Sequence, residues 1–345
     1  MEGYVCVGKK ALTMKYPTIS IITCLYNPDY DVFRQMLQAL RSQTYPLSKI
    51  EHIIMDGGSD SKYIQLAKGH ITKICIKKNL LNDALKRSKI AIEKARGELI
   101  LFLEPDNIMC GEHWLKDMVQ PFLDDPKIVG TYSMYNSYSD TMPALTRYTA
   151  LLGVNDPTVY YLKKSEKLAA FETSYTNGFR INDGTGYVTQ EFNPSNLPVL
   201  GDNGHMVRRK IILPIAKKMK TFLHTDAFMI ACKNGHVRYG IVRNSIVHHT
   251  GSNIIDFFRR RTTYMLRYNG NDEVEREYKV FDIYNRMDRK NIFLFVFYSL
   301  TFLQPFSLSL RGFIRKPDSA WFLHPIICIL AVFSYGFSTM RKLTD

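Results

Sequence analysis

The sequence predicts an α/β fold built on a mainly parallel sheet, and three features point to it. Short, almost wholly apolar runs alternate with amphipathic helical segments between residues 17 and 135, the habit of strands buried on both faces and covered by helices. Each of three runs breaks into turn and acidic residues, at Tyr26-Asn27-Pro28-Asp29, Asp56-Gly57-Gly58-Ser59-Asp60 and Glu104-Pro105-Asp106-Asn107. Ligands of open α/β sheets sit just past the carboxyl ends of the strands, where these clusters fall. The 345 residues also exceed what one such domain needs, so a substantial segment is left over.

Residues 1–16 read as a tail without the apolar core of a signal peptide. Pro17 opens the first strand, and ISIITCL, Ile19–Leu25, is β-rich and continuously apolar. Phe33, Met36, Leu37 and Leu40 recur at helical spacing, which predicts a helix over 31–42. A second strand, 51–55, ends at Asp56, where two glycines permit a tight turn and leave the carboxylate at the edge of the sheet. A third strand follows over 71–76. The next helix starts at an Asn82-Asp83 cap and runs to Ala95, with Leu85, Ser88, Ile92 and Ala95 on one face. The central strand, in GELILFLEPDN, ends in Glu104 and Asp106, two carboxylates that can reach one hard cation together. A solvated turn is the ordinary alternative for such a pair. A helix over 112–119 with Trp114, Leu115, Met118 and Val119 inward, then a strand over 128–135, complete this half.

PTISIITCLYNP, IEHIIMDGGSDS and ARGELILFLEPDN, in that order and spacing, resemble the family 2 glycosyltransferases of GT-A fold. That fold is a Rossmann-like, mainly parallel sheet flanked by helices. The resemblance covers residues 17–135 and implies a nucleoside diphosphate sugar donor and a divalent cation, Mg²⁺ or Mn²⁺. It implies that Thr23, Tyr26 and Asp56 line the base and ribose, that Asp106 holds the metal at the diphosphate, and that Glu104 stands near ribose or sugar. This chain has Glu104 and Asn107 where the family usually has aspartates. A cation held by few carboxylates and the substrate phosphates would neutralise the charge of the departing diphosphate.

Residues 136–250 form an acceptor-binding half. The stretch 173–204 is rich in Asn, Gly, Pro, Thr and Ser and reads as long loops of the kind that bind or cover substrates. Gly201-Asp202-Asn203-Gly204-His205, followed by Val207-Arg208-Arg209, resembles the wall of the family's sugar pocket. Arg208 is the candidate phosphate partner, and Arg209 is as well explained by solvent exposure. His224-Thr225-Asp226 precedes an apolar helix and resembles the family's acidic element that supplies the catalytic base, with Asp226 in that place. An aspartate capping a helix needs no catalytic role. His248 and His249 end a strand over 240–247, and His249 is the candidate contact to the diphosphate or a moving loop.

Residues 251–290 carry a basic amphipathic helix with Phe257, Phe258 and Arg259-Arg260-Arg261, suited to an anionic lipid surface or to packing beneath the domain. Residues 291–345 contain two uncharged stretches, 292–310 with Gln304-Pro305 and 320–340 with His324-Pro325, each long enough for a hydrocarbon core. Basic residues flank every boundary, so two re-entrant or interfacial helices fit the positive-inside tendency better than a spanning hairpin. The formal net charge of +14 concentrates beside these stretches, which argues against nucleic acid as the partner. Six scattered cysteines with no CxxC read as reduced thiols. Together these features predict a metal-dependent, inverting glycosyltransferase on the cytoplasmic face of the cell membrane. Its acceptor would be a lipid-linked or membrane-proximal hydroxyl in cell-envelope glycan synthesis. A polyprenyl-phosphate glycosyltransferase is the nearest alternative. A sugar nucleotidyltransferase lacks its Gly-rich basic loop here, and a degenerate nucleotide-binding scaffold is the non-enzymatic reading.

Overall fold

The computed structural model describes residues 16–69, 73–81, 83–175, 177–201, 203–269 and 276–344. Nearly all of the expected tail 1–16, together with Asn82 and Asp202, lies outside them, as do the side chains of 264–269 in the expected basic helix. Strands β1 (Ile19–Leu25), β2 (Ile50–Asp56), β3 (Lys73–Ile76) and β4 (Leu99–Leu103) are parallel and lie in the order β3-β2-β1-β4. Every residue of β1 and β4 is buried, as their apolar runs require. The helices between them are α1 (Tyr30–Arg41), α2 (Ser61–Lys68) and α3 (Ala84–Lys94). Asp29 caps α1 by accepting from the N–H groups of Asp31 and Val32, and α1 buries Phe33, Met36, Leu37 and Leu40 as its spacing predicts. Asp83 caps α3 through the Lys86 N–H. Gly97 lets β4 start against β1, because a Cβ there would lie 2.5 Å from the Ser20 nitrogen.

Beyond β4 come β5 (Asn107–Met109), α4 (Trp114–Asp124), β6 (Gly130–Ser137), α5 (Ala144–Leu152), α6 (Pro157–Tyr161), β7 (Phe179–Asp183), β8 (Tyr187–Glu191) and β9 (Asn203–Arg208). Then follow α7 (Arg209–Lys218), α8 (His224–Lys233) and β10 (Arg238–His248). The sheet continues β4-β9-β6-β10-β8-β7, with β5 paired to β10. Strand β9 enters antiparallel between β4 and β6, and β10 runs parallel to β6. The stretch 173–204, expected to be loop, therefore holds a hairpin and the start of β9. Its polar composition hid the hairpin because β7 is exposed along its whole length.

The C-terminal part consists of α9 (Ile254–Asn269), α10 (Arg286–Thr301), α11 (Leu303–Arg315) and α12 (His324–Thr344). Helices α10 and α11 meet at 85°, with Phe302 at φ +59° between them. Pro305 falls in the first turn of α11, where its missing N–H has no intrahelical partner to lose. The stretch Ser319–Met340 is long and apolar enough to cross a membrane, and the bent α10–α11 pair passes the same test only as a unit. These helices are not an appendage. Leu145, Tyr148, Leu151 and Leu152 of α5 share one buried cluster with Phe257, Leu308, Trp321 and Ile327. Arg147 pairs with Asp318 at 3.1 Å and Lys164 with Asp288 at 2.6 Å across the same boundary. Deleting residues 291–345 is thus expected to uncover that cluster and give aggregated protein. A monodisperse truncation on size-exclusion chromatography would contradict this packing.

Candidate active site at the carboxyl edge of the sheet

Parallel register brings the ends of β1, β2 and β4 to one edge, with Leu25 opposite Asp56 and Ile22 opposite Phe102. Tyr26 is 45 % exposed there, which leaves its ring free to meet a planar base. Asp56 sits at the same edge but is turned inward. Its carboxylate accepts from the N–H groups of Gly58 and Ser59 and from the Ser59 hydroxyl. The Ser59 hydroxyl in turn accepts from the Asn27 N–H, so Asp56 fixes the two loops against each other. Thr23, expected at the base and ribose, is fully buried. Its hydroxyl donates to the Leu103 carbonyl at 2.7 Å and lies 2.9 Å from His52 Nε2. Thr23 therefore ties β1 to β4 and lines no ligand surface, because a side chain on a central strand faces the helix layer rather than the edge.

Glu104 is half-buried at the turn after β4, and its carbonyl accepts from the Asn107 N–H. Asp106 follows with its side chain 41 % exposed. Strand β5 places Asn107 opposite His248 of β10, and His248 Nε2 comes to 3.5 Å from Asp106 Oδ2. The neighbouring His249 contributes its backbone N–H to the Asp106 carbonyl at 2.9 Å. Of the two histidines, the ring beside the carboxylate is that of His248, one residue before the one the sequence favours. Its other nitrogen faces the Asn155 amide at 3.1 Å, and Asn155 is held in turn by the Thr250 hydroxyl. With the Asn155 amide nitrogen facing Nδ1, the ring proton sits on Nε2 and is shared with Asp106; an Nε2 that ligates a metal needs the Asn155 amide turned over, so that Nδ1–H donates to its oxygen. Asn107 Nδ2 donates to Asp106 Oδ1 at 3.1 Å and toward Asn203 Oδ1 at 3.4 Å. Asn203 lies in the segment that the resemblance places at the sugar pocket, without a role of its own there, and Asn155 gave no sequence signal.

A carboxylate oxygen and an imidazole nitrogen this close, open to solvent on one side, suit a divalent cation that takes its other ligands from phosphate and water. Among the described residues no group of three or more His, Cys, Asp or Glu side chains could enclose such an ion without substrate.

Two expected residues fall elsewhere. Because β9 is antiparallel to β4, Asn203 pairs with Leu103 at the ligand edge and Arg208 pairs with Leu99 at the opposite edge. Arg208 donates to the carbonyls of Phe122, Asp125 and Ile128 and lies over the Phe122 ring. It closes the end of α4, at the opposite edge of the sheet from Asp106. Arg208→Ala is expected to cost about 1–3 kcal/mol by orphaning those carbonyls, with nucleotide binding unchanged. Calorimetry and a binding titration check both halves, and lost binding at unchanged stability would restore the phosphate role.

Asp226 lies in the first turn of α8, 3 % exposed. Arg276 Nε donates to its carboxylate at 3.0 Å, and the Tyr278 N–H does the same. Burial pushes this carboxyl above the usual range, opposed by Arg276 and the Tyr278 N–H. Asp226 thus anchors the segment that leads into α10, and its oxygens are not presented to an acceptor as a base requires.

A sequence model of glycosyl transferase family 2 matches residues 20–192, which spans β1 to β8 and carries Tyr26, Asp56, Glu104 and Asp106. The chain belongs to glycosyl transferase family 2. Among curated family relatives, glycosyltransferase AglE of Haloferax volcanii is 32 % identical over 111 residues, 30 % of this chain and 35 % of that protein. Hyaluronan synthase of Streptococcus pyogenes is 24 % identical over 208 residues, 57 % of this chain and 42 % of that protein. The chain thus matches well under half the length of these relatives. Among solved structures, S. aureus TarS aligns over 93 % of this chain and 54 % of its own, at TM-score 0.47 and 15 % identity. The mannosyltransferase PcManGT of Pyrobaculum calidifontis, solved with GDP-Man and Mn²⁺, aligns over 92 % of this chain and 87 % of its own, at TM-score 0.45 and 12 % identity.

Proposed function

We propose that this family 2 chain transfers a sugar, with inversion, from a nucleoside diphosphate sugar to a lipid-linked acceptor at the cytoplasmic face of the cell membrane, in cell-envelope glycan synthesis. The observation that carries the reading is Asp106 beside His248, 3.5 Å apart at the carboxyl edge that also exposes Tyr26. The nucleotide base would lie on Tyr26, over the loop that Asp56 holds in shape. The diphosphate would lie toward Asp106 and His248, and Glu104 would face the ribose or sugar. Asp106 and His248 would hold Mg²⁺ or Mn²⁺, which when bound offsets the charge of the departing diphosphate. The rest falls to the chain: Asn155 orients His248, Asn107 orients Asp106, and the edge aligns donor with acceptor.

Membrane association is supported by the apolar surface of the C-terminal helices, where Phe293, Phe297, Leu303, Ile314 and Phe333 are exposed. The bend at Phe302 suits a pair that dips into one leaflet. A hydroxyl acceptor needs a base, and the engaged carboxylate of Asp226 favours the second reading, an acceptor that is already an anion: a polyprenyl phosphate. Membrane-bound full-length protein is expected to consume one sugar nucleotide of a panel, only with Mn²⁺ or Mg²⁺ and faster with lipid extract. No turnover of any sugar nucleotide under these conditions would overturn the proposal.

A further inference from the structure

The basic helix α9, which the sequence offers to anionic lipid, gives Arg259, Arg260 and Arg261 partners within the chain, with Arg259 and Arg260 exposed. Arg259 bonds to Asp256, Arg260 to the Thr250 carbonyl, and Arg261 to Asp156 beneath the Phe257 ring. Cations without carboxylate partners gather elsewhere. A cavity of about 640 Å³ opens between residues 160–175 on one side and α10 and α11 on the other. Its wall carries Lys163, Lys290 and Arg311, besides Lys167, whose ammonium is paired with the Glu166 carboxylate, and Glu172 is the only lining carboxylate among the described residues. Glu172 is already engaged by the Ala169 N–H and the Tyr160 hydroxyl. Among the described residues, Lys163, Lys290 and Arg311 have no carboxylate within ion-pair distance, and Arg311 instead lies over the Phe171 ring at 5.0 Å. Lys163 holds φ +58°, a conformation that a non-glycine residue adopts at a cost. Ser165 adds a buried hydroxyl with no partner among the described residues.

The position of the cavity narrows what it could hold. Lys167 Nζ reaches the Asn203 carbonyl at 3.4 Å, Asn203 meets Asn107, and Asn107 bonds to Asp106. The inner wall is thus three contacts from the proposed metal ligand. The outer wall is formed by α10 and α11, whose other faces expose Phe293, Phe297 and Leu303. Excess positive charge, a free hydroxyl donor and an apolar surface leading away describe the head and tail of one molecule.

We propose that this cavity binds the phosphate head of a long-chain lipid acceptor, with the hydrocarbon tail along α10 and α11. The inference rests on the transferase reading above for its role but not for its binding chemistry. The test uses the full-length protein in neutral detergent, with farnesyl phosphate as probe and Mn²⁺–nucleoside diphosphate binding measured on the same samples. Farnesyl phosphate is expected to bind saturably. Lys163→Gln, Lys290→Gln and Arg311→Gln should each weaken it about tenfold, the scale of one charge-assisted hydrogen bond. Lys163→Arg and Lys290→Arg should retain binding, which separates lost charge from lost fold. Farnesol should bind far more weakly, and inorganic phosphate should compete only at much higher concentration. Equal binding of farnesol, equal potency of inorganic phosphate, or glutamine variants that bind like wild type would each overturn the inference. If nucleotide binding persists while the farnesyl phosphate arm fails, this inference alone falls. If nucleotide binding is absent and the glutamine variants still lose farnesyl phosphate, the cavity stands and the transferase reading falls.

Discussion

Asp106→Asn is expected to lower turnover of the sugar nucleotide by ~10³-fold or more, equivalent to ~4 kcal/mol of transition-state stabilisation. The exchange keeps the shape of the side chain and its contact with Asn107 while removing the charge that faces His248. An amide oxygen is a much weaker ligand for a hard cation than a carboxylate. Asp106 is also exposed at a turn and holds no core contact, so the melting temperature should barely move. Retained turnover in the presence of Mn²⁺ would detach the carboxylate from the chemistry. A large fall in stability would instead make Asp106 a structural residue.

The second large effect is on stability. Asp226 and Arg276 pair with side chains 4 % and 16 % exposed, and breaking a buried pair from one side costs about 3–5 kcal/mol. Asp226→Ala is therefore expected to destabilise strongly. Asp226→Asn should cost less, because its amide oxygen can still accept from the Tyr278 N–H. The raised carboxyl of Asp226 sets the sign of the pH dependence. Its folded pKa lies above its unfolded value, so the stability it contributes is full below the unfolded pKa and is lost as pH rises through the folded pKa. Equilibrium denaturation of Asp226→Ala, Arg276→Ala and the double variant should show strong coupling between the two sites. Additive effects, with a fall of ~10²-fold or more in kcat for a stable Asp226→Asn, would return the residue to the role of base.

The parallel half of the sheet was legible because its signals are local. The spacing of Phe33, Met36, Leu37 and Leu40, the apolar run before Glu104 and the Asp83 cap each report on a neighbour a few residues away. What failed to show depends on pairing across the chain. Nothing in Asn203-Gly204-His205-Met206-Val207-Arg208 announces that the strand runs antiparallel to β4, yet that polarity puts Asn203 at the site and Arg208 at the far edge. The choice between His248 and His249 depends on a register of three residue pairs between β5 and β10. The environment of Asp226 is set by Arg276, fifty residues later, and the helix-start position alone cannot reveal that partner. The shared core of α5, α9, α11 and α12 was not legible, because apolar stretches that enter lipid and those that pack on protein share a composition.

In the proposed site Asp106 and His248 together hold a divalent cation at the diphosphate. Its most direct measurement is the loss of the free Mn²⁺ electron paramagnetic resonance signal on titration into full-length protein with a nucleoside diphosphate. Wild type is expected to bind one Mn²⁺ per chain only when the nucleotide is present, and both Asp106→Asn and His248→Ala should abolish that site. Mn²⁺ binding of undiminished affinity in both variants would contradict the account.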